Sequence, residues 1–86
     1  MIEIHFSKSF DRLMRKIESE MLESISEKIE EFREKDNHQR LKVHKLKGRL
    51  AGFYAFSIDY KYRIVFQWLS SNSALLLDFG DHSVYE

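Results

Sequence analysis

Hydrophobic and polar positions alternate at the start of the chain. Ile2, Ile4 and Phe6 are separated by Glu3 and His5, the period of two that marks a half-buried strand. On this pattern His5 faces away from Ile4, toward the surface. The period then lengthens. Phe10, Leu13, Met14 and Ile17 fall at i, i+3, i+4 and i+7, the apolar stripe of an amphipathic helix, and Ser7 stands where its N-cap is needed. Met21, Leu22, Ile25, Ile29 and Phe32 continue with a second stripe. A single helix from residue 8 to residue 35 would be about 42 Å long. A chain of this size should have a radius of gyration of only about 12 Å. The spacing therefore predicts a break near Glu18–Glu20, with Ser19 as a second N-cap and Glu20 in the first turn.

Beyond the second helix the period returns to two. Lys35 to Gln39 reads as a polar turn with His38 exposed, followed by the basic loop Leu41–Gly48. Phe53, Tyr54, Phe56 and Ile58 begin a strand that turns at Asp59–Lys61. Tyr62–Leu69 follows, with Ile64, Phe66 and Trp68 on one face and Arg63, Val65, Gln67 and Leu69 on the other. Ser70–Ser73 is a turn, and the nearly continuous apolar run Ala74–Phe79 reads as a central strand covered on both faces. The order β-α-α-β-β-β predicts an α+β fold. A helical hairpin covers one face of a small, mostly antiparallel four-stranded sheet, and the other face stays open.

Composition narrows the class. The 86 residues suit one domain, residues 1–86, with one modest core and marginal stability. Hydrophobic residues at 43% exclude a disordered chain. Cysteine is absent, so neither a disulfide framework nor a thiolate metal site is available, which fits the cytoplasm. No apolar run reaches the length of a membrane span, and neither a metal nor a cofactor is expected.

Net charge is zero, but the charges are segregated. Residues 1–16 balance to +2, residues 17–36 to −5, residues 37–63 to +6 and residues 64–86 to −3. One small body thus carries an acidic helix and a basic strand region. The acidic helix positions read as a solvated face.

The basic region also carries chemistry. Metal-free cleavage of RNA uses the 2′-hydroxyl as its nucleophile. It requires a base for that proton, cations against the phosphate and an acid for the leaving 5′-oxygen. Histidine suits either proton transfer, and arginine's planar fork suits a phosphate. His44, Arg63 and His82 are placed on or beside the open face. Tyr85 offers a ring for stacking on a base. Lys42, Lys45, Lys47, Arg49 and Lys61 are candidates for backbone contacts to RNA. As a structural alternative, Arg63 pairs with Asp59 or Asp78.

Four segments carry a family resemblance: F-S-K-S-F at 6–10, H-K-L-K-G at 44–48, G-F-Y-A-F-S-I-D-Y-K-Y-R-I-V-F-Q-W at 52–68, and G-D-H-S-V-Y at 80–85. In this order and spacing the chain resembles the RelE/ParE superfamily of bacterial type II toxin–antitoxin toxins. The resemblance implies a ribosome-dependent mRNA endoribonuclease that inhibits translation, or, in the ParE branch, a gyrase poison that cuts nothing. An inactive relative that only binds its antitoxin is a third reading. The implied partners are a cognate antitoxin, the ribosome with its mRNA and, through the antitoxin complex, operator DNA.

Carried over by position, Arg63 matches the arginine on the scissile phosphate of RelE- and YoeB-like toxins. His82 matches the C-terminal catalytic histidine of YafQ- and YoeB-like members, and Tyr85 their C-terminal tyrosine. His44 resembles the upstream histidine of YafQ-like enzymes. Two departures stand out. Tyr54 and Phe56 occupy the strand where RelE has lysines, a charge that Lys45 and Lys47 would have to supply. Ser57 stands where YafQ-like enzymes have histidine, and those enzymes have an aspartate near the position of Lys61.

Overall fold

A computed structural model describes residues 1–81. His82 and Tyr85 lie outside the described residues. The elements are β1 (Glu3–Phe6), α1 (Lys8–Arg15), α2 (Ser19–Phe32), β2 (His44–Lys45), β3 (Tyr54–Ser57), β4 (Tyr62–Ser70) and β5 (Ser73–Asp81), with short 3₁₀ turns at Lys35–Asn37 and Gly48–Leu50. The sheet has five strands in the order β1-β5-β4-β3-β2. β1 runs parallel to β5, with Glu3 opposite Ser73 and Phe6 opposite Leu76, and the remaining pairs are antiparallel.

The α+β reading holds, with one more strand than the four expected. His44 and Lys45 pair with Ala55 and Tyr54 at the sheet edge. Flanking bonds from Ser57 N–H to the Leu41 carbonyl (2.8 Å) and from Leu46 N–H to the Phe53 carbonyl (2.9 Å) extend this edge. Two residues are too few to show a period, so the segment reads as loop in the sequence.

Ser7 caps α1 as expected, accepting a hydrogen bond from Phe10 N–H at 3.0 Å. The break between the helices falls at 16–18, slightly before the expected place. Glu18, not Ser19, takes the second N-cap position, and its side chain makes no capping bond. Ser19 is already helical, and Glu20 lies in the first turn.

The main core lies between the helices and the sheet. Phe10, Ile25, Ile29 and Phe32 meet Ile2, Phe56, Ile64, Phe66, Ala74 and Leu76. Phe32 is its centre, stacked on Phe56 at 4.4 Å and 8° and edge-on to Phe66 at 4.9 Å. His38 is not the exposed residue expected. It is half-buried, its ring stacks on Phe32 at 4.7 Å, and its Nε2 bonds the Phe32 carbonyl at 2.7 Å. That carbonyl ends α2 and lacks an intrahelical partner, so the imidazole satisfies it.

The face away from the helices is not fully open. Glycines with φ of 67° (Gly48) and 98° (Gly52) turn the chain back, and Leu46, Leu50 and Phe53 cover Ala55 and Val65. β5 is an interior strand, yet Leu75 and Leu77 remain half-exposed, so it is buried on one face rather than two. No helix among the described residues is long and apolar enough to cross a membrane.

Candidate functional site

Strand register decides which side chains share a face. His44 pairs with Ala55, Ala55 with Val65, and Val65 with Asp78, so these four form one row across the sheet. Ser57, Arg63 and Gly80 form the next row. Side chains alternate along a strand, so both rows lie on the face away from the helices. His44 and Arg63 thus stand on one side of the molecule. Strand spacing and rise put their Cα atoms about 12 Å apart. A phosphate with its sugar can sit between two such side chains.

Tyr54 and Phe56 of β3 face the other way, Phe56 buried in the helix-side core and Tyr54 packed against it. Ala55 and Ser57 are the β3 residues turned toward His44 and Arg63.

The His44 ring is held by its own loop. Nδ1 donates to the Lys42 carbonyl at 2.7 Å. A carbonyl only accepts, so in the neutral ring the proton sits on Nδ1 and Nε2 keeps the lone pair. Lys42 itself has φ of 58°, in the left-handed region that non-glycine residues rarely adopt. Its N–H is tied to the Gln39 carbonyl at 3.1 Å, and Val43 N–H to the His38 carbonyl at 3.0 Å. These bonds fix the strained turn that presents the carbonyl to the ring.

Next to this turn lies a cleft of about 400 Å³ whose walls include Lys28, Arg40, Lys42, Ser57, Asp59, Tyr60 and Arg63. Four cations face one carboxylate there. Glu31 orders two of the cations from behind, bonding Arg40 at 2.5 Å and Lys28 at 3.4 Å. The Arg40 hydrogen bond holds the Glu31 carboxyl below the usual range, burial opposes it, and Lys28 adds to the lowering.

Of the residues expected from sequence, Lys42 and Arg63 meet in the cleft, and His44 is joined to it through the Lys42 backbone. Lys61 lies on the β3–β4 turn with Nζ 5.2 Å from the Tyr62 ring centre. Lys45, Lys47 and Arg49 are exposed and do not line the cleft. Lys28, Arg40 and Tyr60 were not anticipated. The Lys28–Glu31 spacing of three is a visible helical pair, but the tertiary bond to Arg40 leaves no trace in sequence.

A second, apolar hollow of about 260 Å³ separates α1 from α2. Phe6, Phe10, Met14, Leu22, Ile25 and Ile29 line it, with Asp11, Ser26 and Glu30 on its polar side.

No protein-family model matches the chain, and no curated protein sequence matches it. Solved structures do. YafQ from Escherichia coli superposes with a TM-score of 0.72 at 13% identity, over 98% of this chain and 97% of that one. The RelBE2 toxin–antitoxin complex of Mycobacterium tuberculosis matches at 0.69 and 18% identity, over 94% and 98%. The heterotetrameric YoeB–YefM toxin–antitoxin complex of Staphylococcus aureus matches at 0.67 and 22%, over 95% and 98%. Near-complete coverage of both chains at such low identity is a likeness of backbone path. The chain therefore carries the fold that YafQ and these toxin–antitoxin complexes share.

Proposed function

We propose that the protein is a RelE/ParE-type toxin that cleaves messenger RNA on the ribosome without a metal. The supporting observation is that His44, with Nε2 available, and Arg63 share one sheet face beside a cationic cleft. In this reading Nε2 of His44 takes the 2′-hydroxyl proton. The 2′-oxygen attacks the adjacent phosphorus, and Arg63 stabilises the charge that grows on the phosphate oxygens. The bond to the 5′-oxygen breaks, and His82 gives that oxygen a proton. His82 follows Asp81, whose strand position is opposite Tyr62, the neighbour of Arg63. The products are a 2′,3′-cyclic phosphate and a 5′-hydroxyl. Tyr85 stacks on a base at the cut.

The proposed partner is an antitoxin, as in the complexes of the same fold. The hollow between α1 and α2, with Phe6 50% exposed at its rim, offers an amphipathic helix apolar surface to cover. Binding would also stabilise a small domain by mass action. With ribosomes as its target, the protein would act in the cytoplasm, and the antitoxin complex would reach operator DNA.

The deciding experiment incubates purified protein with messenger RNA, with and without ribosomes, and analyses the 3′ ends. Ribosome-dependent cuts ending in cyclic phosphate, lost in His82→Gln with the fold intact, are expected. Intact message together with inhibited supercoiling by gyrase would replace this reading with the ParE-type one.

A further inference from the structure

The tip of the β3–β4 hairpin carries an aromatic ring that the fold does not use. Tyr60 is 97% exposed, so both faces of its ring are open to water. The other tyrosines with described surroundings behave differently. Tyr54 and Tyr62 pack against the core, and Tyr62 stacks on Phe79 at 5.2 Å.

The backbone beneath Tyr60 is nevertheless firmly built. Asp59 Oδ1 accepts from Lys61 N–H and Tyr62 N–H, both at 2.8 Å. Ile58 N–H donates to the Tyr62 carbonyl at 2.9 Å and closes the hairpin. An aspartate holding its own turn in this way fixes the chain on either side of the ring. An exposed ring on a fixed turn loses little entropy when a flat partner settles on it.

Tyr60 also stands at one wall of the cleft formed with Lys28, Arg40, Lys42 and Arg63. A stacking surface beside a row of cations is the combination that unpaired nucleic acid requires. Phosphates meet the charges and a splayed base meets the ring.

We infer that Tyr60 is a stacking platform for one unpaired base of an RNA strand whose phosphates run along Arg40 and Lys42. The inference rests on the ribonuclease reading for the identity of the ligand, and adds a binding residue on the β3–β4 turn. Tyr60 touches the strand away from the cut and takes no part in proton transfer.

The test is fluorescence anisotropy with a labelled single-stranded 2′-O-methyl RNA, which cannot be cleaved, and an abasic strand of the same length. Tyr60→Ala should weaken binding of the base-bearing RNA about tenfold, since each stacked base contributes on this scale. Tyr60→Phe should bind like the wild type. The abasic strand should bind equally to all three proteins. Because the ring buries nothing, thermal melts of the variants should coincide with the wild type. Equal RNA binding by Tyr60→Ala and wild type overturns the inference, as does equal weakening on the abasic strand. Failure of the wild type to bind the free RNA also overturns it. The cleavage assay on ribosomes judges the ribonuclease reading separately.

Discussion

Lys42 and His44 are locked to each other by a bond from the imidazole Nδ1 to the lysine carbonyl, 2.7 Å long. Because Nδ1 holds the proton, Nε2 is the only ring atom that can accept another. The side-chain amide nitrogen of asparagine can replace Nδ1 as donor, but asparagine has no counterpart to Nε2. On the proposed ribonuclease reading, His44→Asn should therefore keep its fold and lose about a hundredfold or more in single-turnover cleavage. Unchanged cleavage would remove His44 from the proton transfer.

Lys42 pays for this arrangement with its backbone. Its φ of 58° costs a residue with a Cβ about 1 kcal/mol, and asparagine tolerates the region better. Lys42→Asn should raise stability by some tenths of a kcal/mol. Lys42→Val should lower it by roughly 1–2 kcal/mol, because a branched Cβ fits this region worst. Urea midpoints of the two variants check the opposite signs.

Glu31 should make stability depend on pH. The hydrogen bond from Arg40 lowers its folded pKa below the ordinary carboxylate range, against desolvation, with Lys28 assisting. Its stabilising contribution is present above the unfolded pKa and is lost as pH falls through the folded value. The side chain is 30% exposed, so the contribution stays below about 1 kcal/mol. Melting curves of wild type and Glu31→Gln should differ at neutral pH and converge in acid below the ordinary carboxylate range.

Phe32 is fully buried and touches the rings of Phe56, Phe66, Trp68 and His38. Phe32→Ala should cost about 3–5 kcal/mol, much of what a domain this small possesses. Phe32→Leu fills more of the space and should cost less. Trp68, 5.9 Å from Phe32, reports both through its fluorescence during urea unfolding.

The parts of the fold legible in sequence are those with a repeated period. The Phe10–Met14 stripe, the Ser7 cap and the alternation Ile64–Phe66–Trp68 each repeat a signal several times. What escaped has no repeat. The His44–Lys45 strand is two residues long and exists because Ala55 and Tyr54 lie beside it. His38 is drawn inward by a ring and a carbonyl six residues earlier. The cleft was half legible. Lys42 and Arg63 belonged to the basic stretch, while Lys28 lay in an acidic helix and Arg40 depended on a partner that only folding supplies.

The parallel pairing of Glu3 with Ser73 and Phe6 with Leu76 bears on when the fold can be completed. β1 reaches the rest of the sheet only through β5, and α1 packs on that strand too. During synthesis, then, the first strand must wait for some seventy residues before its partner leaves the ribosomal tunnel. Until that moment β1 has no partner strand, and the five-stranded sheet stays incomplete.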